Sequence, residues 1–188
     1  LEELAEMKRV NDIGLDGIEF IEFASPDPKA IDGLFKAFGF SRIMRHDSRN
    51  VSWYEQGDIR FLLNDEPGGH GRAFGAAHGP SISAMGWRVS DAARAFELAL
   101  SRGAKGATNP DYPGLPAIEG IGGSVIYLVE RKGAARRWAQ ERLGFLPLQN
   151  PERVDSRGFI SIDHLTNNVE QGTMKRWSDF YKDVFGFT

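Results

Sequence analysis

Cysteine is absent from the 188-residue chain. That excludes disulfides, thiolate nucleophiles and any cysteine-ligated zinc or iron–sulfur centre, and it fits a reducing, cytoplasmic setting. No apolar run approaches the ~18 residues expected of a membrane-crossing helix. Residues 1–9, acidic and helical in character, are unlike a secretory signal. An excess of basic charge is lacking too. Lys and Arg number 23 against 26 Asp and Glu, and the formal net charge is −3. Scattered as they are, the cations leave no electrostatic footprint for nucleic acid, so neither nucleic acid nor a membrane is expected as a partner. What is present, 41% hydrophobic and 26% charged residues, suits a chain that buries one good core and begins a second.

A repeat organises the chain. Ile18 to Ala24 reads as a strand, and Ser25-Pro26-Asp27-Pro28 as a helix-initiating turn. Ile31, Leu34, Phe35 and Phe38 then recur at helical spacing, and Phe38-Gly39-Phe40 closes the helix. Strands follow at Phe40–Arg45, Val51–Gln56 and Ile59–Asn64. A second, more divergent copy runs from a strand at Ser81–Val89 through a helix N-capped by Asp91 and stopped at Gly103. Weaker strands around Lys105–Ala107 and Ala117–Ile121 precede a clear one at Ser124–Val129. The unit is strand, helix, strand, strand, strand. A third copy begins at Phe159 and continues with Trp177, Phe180, Tyr181 and Val184 at helical spacing, closing with Phe185-Gly186-Phe187. Its last three strands are missing.

This pattern predicts an α+β fold of paired βαβββ modules with an incomplete third. A leading helix is expected over 1–14, a two-module N-terminal domain over 15–146, a linker over 147–158, and the first strand and helix of a truncated C-terminal domain over 159–188. Further short helices are expected at Arg72–Ala77 and around Trp138.

In Phe159–Thr166, alternation puts Ile160, Ile162, His164 and Thr166 on one strand face and Asp163 on the other. An imidazole in line with two isoleucines is either a core histidine with a partner or a ligand pointing into a cavity. On the strand pattern alone the core histidine is the simpler reading. The repeat bears on the choice: aligned copies set Glu22 and Gly86 opposite His164, so one inward position recurs with different chemistry.

Gly17-Ile18-Glu19-Phe20-Ile21-Glu22-Phe23-Ala24-Ser25-Pro26, Leu62-Leu63-Asn64-Asp65-Glu66-Pro67, Pro116-Ala117-Ile118-Glu119-Gly120-Ile121-Gly122-Gly123-Ser124 and Ile162-Asp163-His164-Leu165-Thr166-Asn167-Asn168-Val169 carry a resemblance. In order and spacing they are similar to the bacterial 4-hydroxyphenylpyruvate dioxygenases, members of the vicinal-oxygen-chelate, glyoxalase-like superfamily. The resemblance implies an N-terminal domain without metal and a catalytic domain holding Fe(II) by two His and one Glu. It places the first of these ligands on His164 and allows Thr166 to line the substrate pocket. The other two would come from strands beyond Thr188, so the chain as given is expected to be catalytically incomplete. An α-keto acid and O2 would be the substrates, homogentisate and CO2 the products.

Weighed with that match, His164 reads as a metal ligand and Asp163 as a structural acid. Glu22 points inward without metal partners, and either a buried pair with Arg60 or a hydrogen-bonded network is expected. His46, His70 and His78 read as solvated or capping residues, and Gly68-Gly69-His70-Gly71 lacks the Lys-Ser/Thr of a phosphate loop. Exposed apolar residues on the unfinished unit predict self-association, and a homo-oligomer is expected. Two rival readings remain: a 4-hydroxymandelate synthase, with the same substrate and metal, and a non-catalytic small-ligand-binding or assembly module in which His164 is vestigial.

Overall fold

The computed structural model describes residues 11–187, and the helix expected over the first ten residues lies outside them. Asn11–Gly14 form a turn closed by the Gly14 amide on the Asn11 carbonyl. The first module comprises β1 (Leu15–Ala24), α1 (Pro28–Ala37), β2 (Ser41–His46), β3 (Val51–Gln56) and β4 (Ile59–Asn64). After α2 (Gly69–His78), the second comprises β5 (Ser81–Val89), α3 (Ala92–Ser101), β6 (Ala117–Glu119) and β7 (Val125–Val129). Then come α4 (Ala135–Leu143), β8 (Phe145–Glu152) and α5 (Met174–Phe185). Local chemistry starts the helices where the sequence says it should. Asp27 Oδ1 accepts from the Ala30 amide and Asp91 Oδ1 from the Arg94 amide, each filling an unpaired donor of the first turn.

The eight strands among the described residues form one mixed sheet in the order β6-β7-β5-β1-β4-β3-β2-β8. In each module the first strand pairs in parallel with the last, β1 with β4 and β5 with β7. The modules meet where β1 runs antiparallel to β5. This is the α+β glyoxalase-like arrangement of paired βαβββ units. The second copy is the weaker one, as its sequence suggested. The stretch near Lys105 contributes one isolated bridge, Gly106 to Ile118, rather than a strand.

Alternation along the strands sorts the core onto two faces. On one, Phe20, Trp53, Leu62, Ala84 and Tyr127 pack with Trp138, Ala139 and Leu143 of α4. On the other, Ile21, Met85, Trp87 and Leu128 pack under α3 and under Val184 and Phe185 of α5, while Phe35 of α1 covers Tyr54, Ile59 and Leu63. Leu34 and Phe38, expected on the buried stripe of α1, are about half exposed.

Two expectations fail at the C-terminal side. Pro147–Glu152, read as linker, belong to β8, which pairs antiparallel with β2. Its polar, proline-containing sequence suits an edge strand, where an amide can be dispensed with. Residues 159–166, read as a strand, form none. A strand exists only if another chain segment satisfies its amides and carbonyls, and no ladder partner for this segment lies among the described residues. Ile160 is therefore exposed, while Ile162 and Leu165 turn toward the core instead.

Two glycines give opposite expectations for one substitution. A Cβ on Gly86 would intrude on the Phe20 ring, whereas Gly33, mid-helix in α1, has open space around its Cβ position. Gly86→Ala should lower unfolding free energy by about 1–3 kcal/mol through overpacking. Gly33→Ala should raise it by about 0.5–1 kcal/mol through helix propensity. Urea midpoints of the two variants read both signs.

Candidate functional site

Glu22 lies on β1 with no solvent exposure. Its Oε1 accepts from Ser83 Oγ at 2.9 Å and Asn64 Nδ2 at 3.3 Å, and its Oε2 from Tyr112 hydroxyl at 2.8 Å. The three donors come from β5, β4 and the loop before β6, so tertiary structure alone assembles them. Burial pushes the Glu22 carboxyl above the usual carboxylate range, and the nearby Asp111 charge adds to this against the pull of the three donors. Burial beside Glu22 likewise pushes the Tyr112 phenol up. Both carboxyl oxygens are thus engaged by the protein's own donors.

Asp111 explains the glycine run. Its Oδ1 accepts from the His70 amide at 3.2 Å, and its Oδ2 from the Gly71 amide at 2.9 Å and Asn64 Nδ2 at 3.1 Å. The first-turn amides of α2 that could have cradled an anion are thus taken by the protein's own carboxylate. Arg49 braces this loop, donating to the Asp111 carbonyl at 2.8 Å and lying 5.0 Å over the Tyr112 ring.

Of the two arrangements expected for Glu22, the hydrogen-bonded network forms and the pair with Arg60 does not. Arg60 turns to Asp58 and to Glu19, 3.6 Å from its carboxylate. Glu19 is also fully buried, held by Arg88 Nη1 at 3.0 Å and Arg131 Nε at 2.8 Å. Strict alternation missed it because the β1–β5 register slips between Ile18 and Phe20, a bulge that re-aims a side chain. Of the solvated and capping readings, His46 takes the capping one. It is buried at the end of β2, and its Nδ1 accepts from the Ser48 and Arg49 amides, capping the turn.

His164 lies away from this network. Its ring is 73% exposed, not inward on a strand, and Nδ1 sits 2.7 Å from Asp163 Oδ2. It borders a cleft of about 540 Å³ shared with Trp87, Leu165, Tyr181, Lys182 and Phe187. Thr166, exposed, lines an adjoining cleft of about 380 Å³ with His78, Ser124 and Asn168. Asp163, read as a structural acid on the opposite face, is the residue that orients the imidazole. A carboxylate on one ring nitrogen leaves the other to ligate, the arrangement commonly found around metal-bound histidines. The imidazole is thus suited to a metal, as one donor. Among the described residues, no group of three or more His, Cys, Asp or Glu converges as a metal site.

Comparison with known proteins follows the same division. Residues 10–139 match the family model described as hydroxyphenylpyruvate dioxygenase, HPPD, N-terminal. Protein MelA of Shewanella colwelliana is 49% identical over 95% of this chain and 51% of its own length. A 4-hydroxyphenylpyruvate dioxygenase of Pseudomonas sp. (strain P.J. 874) is 40% identical over 94% of this chain and 50% of its length. The chain therefore spans about half the length of these curated relatives. A solved xylose isomerase-like TIM barrel/4-hydroxyphenylpyruvate dioxygenase fusion protein superposes with a TM-score of 0.80 at 31% identity, covering 93% of this chain and 28% of that one.

The buried carboxyl also predicts a pH signature. A folded-state value raised above the unfolded ~4.3 means that the native state holds its proton longer. Stability from this group is therefore full below the unfolded value and is lost as pH climbs toward the folded one. Glu22→Gln removes that loss. Its urea midpoint should exceed the wild-type one at about pH 7.5, and the gap should narrow at about pH 4.5. A variant less stable at both pH values would show that the three donors outweigh burial.

Proposed function

The chain belongs to the hydroxyphenylpyruvate dioxygenase N-terminal family, and from that premise we propose that it is the metal-free scaffold of such an enzyme together with its first iron ligand, His164. The observation that carries the reading is the state of that imidazole: one nitrogen bonded to Asp163, the ring open to a cleft, and four stretches of family-like sequence in order, the last of them containing it.

In this proposal the substrate is an aromatic α-keto acid, 4-hydroxyphenylpyruvate, consumed with O2 to give homogentisate and CO2. Ferrous iron, held by two His and one Glu, supplies the oxygen activation and leaves coordination positions for the keto acid. The second His and the Glu are assigned to the half of the relatives that this chain does not span. Asp163 holds the His164 ring in one tautomer and orientation. Thr166 contributes a hydroxyl to the substrate side of the site. The paired modules are assigned no chemistry, because Glu22 and Asp111 are held by internal donors and the interior is packed with aromatic rings. A cytoplasmic setting and a homo-oligomeric assembly belong to the same proposal, and no helix among the described residues is long and apolar enough to cross a membrane.

Anaerobic calorimetric titration tests the ligand count. One imidazole does not hold Fe(II) or Co(II) at useful strength, so the isolated chain should show no stoichiometric binding near ~1 μM, a strength that takes several converging ligands. Tight binding by this chain that is lost in His164→Ala would overturn the assignment of the remaining ligands elsewhere. Turnover of 4-hydroxyphenylpyruvate by the chain alone would overturn it more directly.

A further inference from the structure

Between β8 and the residues around His164, the chain does not hang free. Ser41 Oγ accepts from the Val154 amide at 3.1 Å. Gln56 Oε1 accepts from Ser156 Oγ at 2.8 Å and from the Arg157 amide at 2.5 Å, while Gln56 Nε2 donates to the Phe38 carbonyl at 2.8 Å. Arg157 Nε donates to the Ala37 carbonyl at 3.3 Å, and the Asp58 amide to the Ile160 carbonyl at 2.7 Å. Every one of these partners belongs to the first module: the start of β2, the end of β3, the end of α1 and the β3–β4 turn. Phe159 lies against Phe38, ring centroids 6.3 Å apart, which accounts for an aromatic left half-exposed on α1.

Two glycines permit the approach. Gly39, at φ +87°, would place a Cβ 2.7 Å from the Arg157 nitrogen and 2.8 Å from the Asp155 carbonyl oxygen. Gly57, at φ +57°, would place one 2.5 Å from the Phe159 carbonyl oxygen. Both positions look, in sequence, like ordinary turn glycines. The structure adds a second demand: backbone touches backbone there, and any side chain would lift the segment away.

We propose that Gln56, Gly39 and Gly57 are positioning residues: they clamp residues 153–160 to the first module, so that the segment bearing His164 departs from a fixed point. The consequence for the iron site depends on the reading of His164 as a ligand; the fixed departure point does not. The geometric gain is large. His164 comes twelve positions after Glu152 and four after Ile160. Fully extended, twelve residues reach about 42 Å and four about 14 Å. Clamping thus shrinks the volume in which the imidazole must find its partner ligands. A ligand set split between distant parts of one chain assembles well only if its parts are held in place beforehand.

The chain has no cysteine, so a pair of spin labels can be placed cleanly at Glu97→Cys on α3 and Asn168→Cys beyond His164. With the clamp intact, the label–label distance distribution should be narrow, and the Arg157 amide should be protected from hydrogen exchange. Gln56→Ala removes the acceptor for Arg157. Gly57→Asn keeps the left-handed turn at little cost but brings the Cβ. Each should reduce protection at Arg157 about tenfold and widen the distribution about twofold, with the thermal midpoint of the two modules little changed. Gln56→Glu, which retains an acceptor oxygen, should keep the protection. Protection lost with the distribution still narrow would show that packing of α5 holds the tail, and would overturn the proposal. An Arg157 amide unprotected in the wild type would overturn it as well. Failure of His164 to ligate iron would leave these distances untouched, so the two ideas fail separately.

Discussion

The antiparallel pairing of β1 with β5 is the constraint on which the molecule depends. It is the only ladder joining the two modules among the described strands. Phe20 can face Gly86 across it because the glycine offers no side chain. Three more interactions cross the same line: Ser83 to Glu22, Arg88 to Glu19, and Tyr112 packed edge-on to Phe20. Backbone pairing, ring packing and buried charge thus all specify one register. A slip of one residue would invert both faces of β1 and strand Glu22 and Glu19 away from their donors.

That seam also gathers the donors that hold the interior carboxyl. In a symmetric pair of modules, the inward polar residue on the first strand is the natural place for a ligand. Here one copy presents Glu22 and the aligned position of the other is Gly86. A carboxyl so deeply buried would be costly if unpaired, and three donors from separate elements surround it. Asp111 treats the α2 amides in the same way. Glu22 and Asp111, which could have bound something from outside, are held instead by the protein's own donors. In the proposed reading the module pair is a support, and the reactive part falls on the segment that leaves it.

How that segment leaves is set by close contacts rather than by composition. Prolines, charges and an asparagine between Pro147 and Gly158 have the look of a flexible connection. Half of it is an edge strand and the rest is bonded to Ser41, Gln56 and Ala37. Polar composition indicates that a stretch stays near water; it does not indicate whether its backbone donors are taken by water or by a neighbouring strand end.

Local signals alone determined much here. Helical spacing with Asp27 and Asp91 at the caps placed α1 and α3, turn residues placed β2 to β4, and the recurrence of the unit gave the paired βαβββ architecture, since each of these depends on residues close together in the chain. Tertiary structure decided the rest. Whether 159–166 is a strand depends on a ladder partner, which is a distant segment. Glu22's donors are 42 to 90 residues away in sequence, and the burial of Glu19 follows from a bulge in a non-local register. Periodicity reports which way a side chain points relative to its neighbours in sequence; what it meets there is fixed only when remote segments pack, because burial and hydrogen bonding are satisfied across space.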